Sequence, residues 1–206
     1  MRNIGFCQIM KLLSFKNRKE IFAWSFYDFA NQPFSTIIVT FIYSAFFTKV
    51  IVDNEQIGTT IWANSIAITA IFVAILSPIL GAIADIAAYR KFFLMLFTWL
   101  CSIFSVLLYF PESGDVFLAI TFFTIANISF EISTVFCNSY LSDLSEKDNI
   151  GSISGFAWGL GFIGGLIALF VCLVLFPDLD SLSIRKINIL VGVWFFLFSI
   201  PTFLFV

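Results

Sequence analysis

Apolar residues run along the chain in six long blocks, each separated from the next by a short polar, turn-forming stretch. Crossing the hydrocarbon core takes about 20 mostly apolar residues in a helix. The blocks at about 22–52, 59–84, 92–110, 116–140, 152–176 and 188–206 meet that length. The pattern predicts an all-α, polytopic membrane protein: a basic N-terminal segment over 1–20, then a six-helix transmembrane bundle over 21–206. Pro33 sits near the start of the overlong first block, where a kink or tilt is expected. The connections, around Asp53-Asn54-Glu55, 85–91, 111–115, 142–149 and 177–186, are short, so consecutive helices run antiparallel.

Lys and Arg positions predict the orientation. With the N-terminus inside, Arg2, Lys11, Lys16, Arg18, Lys19, Arg90, Lys91 and Lys147 lie on the cytoplasmic side and only Lys49, Arg185 and Lys186 outside. That asymmetry favours cytoplasmic N- and C-termini. The basic residues of the first twenty follow a weakly apolar stretch and no small-residue cleavage site appears, so this segment reads as lying on the anionic cytoplasmic leaflet rather than as a signal peptide. The expected location is a cell membrane, specifically a bacterial inner membrane.

Composition sharpens this picture. The 206 residues are 60% hydrophobic and 12% charged, and the mean hydropathy is +1.02. So much apolar surface requires the lipid bilayer as solvent. A net charge of -2 gives no reason to expect nucleic acid. Cys7, Cys101, Cys137 and Cys172 lack metal-ligand spacing and read as small apolar residues. There is no His, no phosphate-binding loop and no nucleophile elbow, because Gly151-Ser-Ile-Ser-Gly155 has Ile in the middle. The expectation is a protein that is not an enzyme and takes no cofactor or metal.

The helices divide into two triads of similar character, a three-plus-three repeat. Helices one and four carry most of the intramembrane polar groups, two and five carry Pro or Gly, and three and six are apolar and aromatic. In helix one, Asp28, Asn31, Gln32 and Ser35 share a face at i, i+3, i+4 and i+7. Two readings are open: an interfacial cap on a helix that starts late, or a stripe lining a cavity. In helix four, Asn127, Glu131, Thr134 and Asn138 form a second stripe. An acid at mid-membrane costs about 2.5–3.5 kcal/mol on the insertion scale, and surrounding Leu, Ile, Val and Phe offset it. Glu131 reads either as a protonated helix glue or as a cavity-facing group that carries a proton during transport. Helix five holds six of the eleven glycines: Gly151, Gly155, Gly159, Gly161, Gly164 and Gly165. Their GxxxG steps, Gly151 to Gly155 to Gly159 and Gly161 to Gly165, suit close helix packing.

Gly81-Ala-Ile-Ala-Asp85 followed by Arg90-Lys91 resembles the loop between helices two and three of the major facilitator superfamily. More narrowly, Trp24 to Thr40, Ser77 to Asp85 and Ser152 to Gly165 resemble the vacuole-effluxer family, the autophagy-related amino-acid effluxers, in register over nearly all of 20–206. The resemblance implies an N-terminal half of about six helices out of about twelve, with helices one and four lining a central cavity and Gly81, Asp85, Arg90 and Lys91 in a cytoplasmic gate loop. It also implies amino acids or other small solutes as cargo. This loop departs from the family pattern at Ile86, Ala88 and Tyr89, where a Gly and basic residues usually stand. The expected function is a secondary transporter, or half of one, moving a small polar solute by alternating access with a proton or ion gradient. Its partners are then lipid, the solute and a second six-helix half from a separate chain or a homodimer. The alternative is a remnant or membrane interaction module without independent transport.

Overall fold

The computed structural model describes residues 18–87, 89–145 and 148–206; the side chains of 85–87 are not described. The N-terminal residues 1–17, Lys147 and the Asp85 carboxyl thus lie outside the described residues. Among the described residues the protein is all helical, with six helices long and apolar enough to cross a membrane. We label them α1 (Arg18–Ile51), α2 (Glu55–Ala87), α3 (Arg90–Leu107), α4 (Val116–Ser139), α5 (Ile150–Leu175) and α6 (Ser181–Phe205). A short helix, Leu141–Leu144, follows α4. The sixth helix begins at Ser181 rather than 188, because the Asp180 carboxylate accepts from the Ser183 N–H at 3.0 Å and starts the helix before the apolar run begins.

Short loops order the helices in sequence, but the packing joins helices distant in sequence. A front row runs α5, α1, α4, α2; α6 and α3 form a rear row, α6 against α1 and α3 against α4 and α6. Side-chain contacts give the directions. Trp24 of α1 meets Cys137 of α4, Arg185 of α6 meets Tyr109 after α3, and Gly161 to Gly165 follow Asp28 to Thr36 in parallel. The bundle therefore has an Arg90 end, where α1, α3 and α5 begin, and an opposite Arg185 end.

Helix α1 is the hub, and its chemistry explains why. Pro33 has no N–H, which frees the Phe29 carbonyl four residues earlier. Trp194 Nε1 of α6 donates to that carbonyl at 3.4 Å, as expected where a neighbouring helix must satisfy backbone in lipid. Gly164 of α5 comes so near that a Cβ there would stand 2.5 Å from the same oxygen. Around this point Trp24 Nε1 donates to Cys137 O at 2.7 Å and Thr202 Oγ1 to Ala23 O at 2.7 Å. The Thr98 hydroxyl gives its hydrogen to Leu94 O, so Tyr27, fully buried, is the donor in the 2.7 Å contact with Thr98. Beyond Pro33 the helix widens: Phe34–Phe41 and Phe47–Ile51 are π-helical, separated by an α-helical stretch over Ile42–Phe46, and the Ile42 N–H reaches Ile37 O five residues back. The kink expected at Pro33 is expressed as this change of winding.

The outer part of α1 is held by other helices. Gly58 of α2 packs on Thr48, where a Cβ would lie 2.7 Å from the Thr48 Cα, and Trp62 Nε1 donates to Val39 O. Trp62 also stacks on Phe123 of α4, ring centroids 3.8 Å apart. Most of α2 beyond Thr69 is exposed. At the Arg185 end, Arg185 donates to the Tyr109 and Phe110 carbonyls at the end of α3 and pairs with Glu112 at 2.7 Å, its guanidinium over the Tyr109 ring. A cation there satisfies orphan carbonyls and opposes the helix dipole.

Two outcomes follow. Gly164→Ala should cost about 1–3 kcal/mol through overpacking against Phe29, whereas Gly155→Ala, at an open position, should be neutral or stabilising by about 0.5–1 kcal/mol. Thermal stability in detergent reads both, and equal losses would contradict the assigned α1–α5 contact. Arg185→Ala should destabilise more than Glu112→Gln, because it removes the carbonyl bonds as well as an exposed pair worth about 0–1 kcal/mol; the reverse order in the same assay would refute the capping account.

Candidate functional site

The polar residues singled out from the sequence fall into three settings. The first is the α1–α5 seam. Asp28 is half-buried there, its Cβ and carbonyl 3.1 and 3.2 Å from where a Gly161 Cβ would lie. Asn31 is buried and interacts with the Asp28 carboxyl. Gln32 and Thr36 cover Gly165, with Thr36 Oγ1 2.9 Å and Gln32 Cγ 3.1 Å from its notional Cβ. Asp28, Gln32 and Thr36 therefore share the face that Gly161 and Gly165 admit. Gly151, Gly155 and Gly159 do something else: each has nothing within 4 Å of a notional Cβ, so this half of the glycine stripe packs on no other described part of the chain.

The second setting is the open front of α4. Helices α2 and α1 flank α4 and α3 covers its rear, so its exposed residues point forward. Glu131 and Asn138 are exposed there, whereas Asn127 is buried and the Thr134 hydroxyl is tied to Phe130 O. The forward stripe instead continues through Thr124 and Thr121, at helical spacing from Glu131. Among the described residues Glu131 has no hydrogen-bond or ion-pair partner. Counting from the Trp24–Cys137 contact at 1.5 Å per residue, Asp28 lies about 6 Å and Glu131 about 9 Å towards the Arg185 end. The carboxyls share a depth, but Asp28 faces α5 and Glu131 faces the open front, so the structure does not pair them.

The third setting is the Arg90 end. Arg90 Nη1 bonds Asp143 Oδ2 at 3.1 Å, joining the start of α3 to the short helix after α4. Lys91 is exposed, and Gly81 has open space around its Cβ position. Asp143 was not singled out by sequence reasoning; it is one of three acids in the polar connection 142–149, with nothing to set it apart from Glu146 and Asp148. Trp24, Tyr27 and Thr98 were likewise invisible as a buried network, since aromatic and hydroxyl residues recur throughout. Among the described residues no His, Cys, Asp or Glu cluster is placed to hold a metal ion.

The profile of the family described as vacuole effluxer Atg22 like matches residues 57–206. A protein of Bacillus subtilis (strain 168) described as an uncharacterized MFS-type transporter, YxiO, is 27% identical over 190 residues, covering 87% of this chain and 44% of that protein. An uncharacterized protein of Aquifex aeolicus (strain VF5) is 30% identical over 190 residues, covering 90% and 45%. Autophagy-related protein 22-1 of Aspergillus fumigatus is 41% identical over 51 residues, 24% of this chain and 8% of that protein. The chain thus spans about half the length of the first two relatives. No solved structure matches it. With six apolar spans and a profile match over residues 57–206, the chain is a multi-pass membrane protein that belongs to the vacuole effluxer Atg22-like family.

Proposed function

We propose that the chain forms one half of a secondary transporter in which the front of α1 and α4 lines a solute path closed by a second six-helix unit. The observation that carries this reading is Glu131. It is an acid without a partner at mid-span on the open front of α4, a position that hydrocarbon tolerates only at a cost of about 2.5–3.5 kcal/mol. A wet cavity removes that cost. The lengths of the relatives support a second unit, because 44% and 45% coverage leaves room for another six helices. That unit belongs to the same polypeptide, a separate chain or a second copy. The largely uncovered α2 and the open Gly151, Gly155 and Gly159 of α5 are surfaces it would cover.

In this reading Glu131 takes up and releases the coupling proton as the path opens to alternate sides. Asp28, Asn31 and Gln32 form the α1 wall, Asn138 lies beside Glu131 on the front with Asn127 buried behind it, and Gly161 and Gly165 let α5 slide along α1. The Arg90–Asp143 pair, with Gly81, Asp85 and Lys91, forms the gate at that end. The Arg90 end faces the cytoplasm, with Arg18, Lys19, Arg90 and Lys91 there, in a bacterial inner membrane. Small polar solutes are the cargo, and amino acids the class suggested by the family resemblance.

Glu131→Gln should insert and fold as the parent does, yet lose proton-driven solute flux in membrane vesicles. Proton coupling that survives this change would refute the role. A cysteine at 127 or 131 should react with water-borne thiol reagents in at least one assembly state. Complete inertness at both positions would favour the competing reading, an interaction module without a conducting path.

A further inference from the structure

Between α2 and α4, towards the Arg185 end, lies a groove of about 410 Å³ lined by Ile61, Asn64, Ser65, Ile68, Ile120, Thr121, Thr124 and Ile125. Its depth is set by the helices. Asn64 is about 14 Å along α2 from Glu55 and Thr124 about 12 Å along α4 from Val116, at 1.5 Å per residue. Both therefore sit well inside the span. The stacked rings of Trp62 and Phe123 fix α2 against α4 beside it.

The polar groups of the groove divide by what they have left to offer. Thr121 gives its hydroxyl hydrogen to Phe117 O at 2.7 Å, and Ser65 gives its own to Trp62 O at 2.7 Å. Each then presents only lone pairs. The Asn64 carboxamide is exposed and, like the Thr124 hydroxyl, has no partner among the described residues. Those two supply donors and acceptors together. An unpaired carboxamide at this depth is unfavourable against lipid tails, so the groove calls for a polar occupant. No lining side chain is ionisable, and a charged group entering here would find no countercharge in a low-dielectric site. The four isoleucines contribute apolar walls.

We infer that this groove is a solute subsite selecting an uncharged hydrogen-bonding group, a carboxamide or hydroxyl, carried on a short aliphatic arm. The inference rests on the carrier reading above and adds to it a selectivity site distinct from Glu131. Asn64 and Thr124 pair with the neutral polar group, and the isoleucines enclose the arm. A carboxylate on an arm of the same length is rejected for want of a cation, and a purely apolar arm is disfavoured because it leaves Asn64 and Thr124 unpaired.

The test uses the protein in its native membranes with Cys7, Cys101, Cys137 and Cys172 replaced by Ala and Thr124→Cys introduced. A membrane-impermeant maleimide is applied alone or with L-glutamine, L-glutamate or L-norleucine, three probes that share one backbone and differ in the arm. Labelling is expected, slowed at least threefold by glutamine and little by the other two. Adding Asn64→Leu should abolish the glutamine protection. No labelling from either side, equal protection by all three probes, protection by none, or protection that survives Asn64→Leu would each overturn the assignment. A second measurement separates its failure from that of the carrier reading: the glutamine-to-norleucine flux ratio should fall at least threefold in Asn64→Leu with the native Thr124. Flux of both that depends on Glu131 while the ratio stays unchanged would remove the subsite and leave the carrier standing.

Discussion

Backbone that cannot reach water must find its partners inside the protein, and the arrangement of this bundle follows from one place where the chain breaks that rule locally. Pro33 withholds the N–H that Phe29 O would otherwise accept from. The protein answers with an indole from α6 and with a glycine on α5 that leaves the carbonyl uncrowded. Those two answers bring α5 and α6 against the same stretch of α1, although neither follows it in sequence. Hydrogen bonds from Trp24 and Tyr27 then tie in α4 and α3, and Thr202 adds a second bond from α6. Helix α1 is central because its own backbone is incomplete.

The two-row layout sorts chemistry by position. Rear helices α3 and α6 close on each other through Gly192, whose notional Cβ would lie 2.6 Å from Ser102 O, and their buried hydroxyls mostly bond their own helix backbone. They ask nothing of a partner beyond lipid. The front helices are different. Glu131 and Asn138 on α4, Asn64 on α2 and the uncovered glycines of α5 are features that gain meaning only opposite something polar or closely fitting. Two relatives of about twice this length supply the natural frame for that asymmetry.

The six spans were legible because length and apolarity decide membrane crossing almost by themselves, and the family was legible in three ordered motifs. What hydropathy cannot carry is which face of a helix meets which neighbour. Asn127 and Glu131 looked equivalent on a stripe, yet one is buried and the other open, since a four-residue step rotates the side chain off the axis of a stripe far enough to cross its edge. The glycines of α5 read as one packing surface and are two: Gly161, Gly164 and Gly165 turn towards α1, and the earlier three turn away. The start of α6 was hidden for a different reason, because Arg185 and Lys186 look like loop by charge while an Asp180 cap makes them helix. Asn64 and Thr124 escaped notice because neither is ionisable and only the packing of α2 on α4 brings them together.

The winding of α1 has a consequence of its own. Its inner segment is gripped by α5 and α6 and its outer segment by α2, and these grips meet in the broad turns of Phe34–Phe41, at Thr36 and Val39. A π turn holds one more residue than an α turn, so this stretch stores spare chain within a continuous hydrogen-bonded rod. Tightening it would turn and lengthen one end of α1 against the other as each carbonyl exchanged its fifth-residue donor for the fourth. The helix is thus jointed in the manner of a torsion coupling, able to transmit or absorb a twist at a place where a broken helix would expose its backbone.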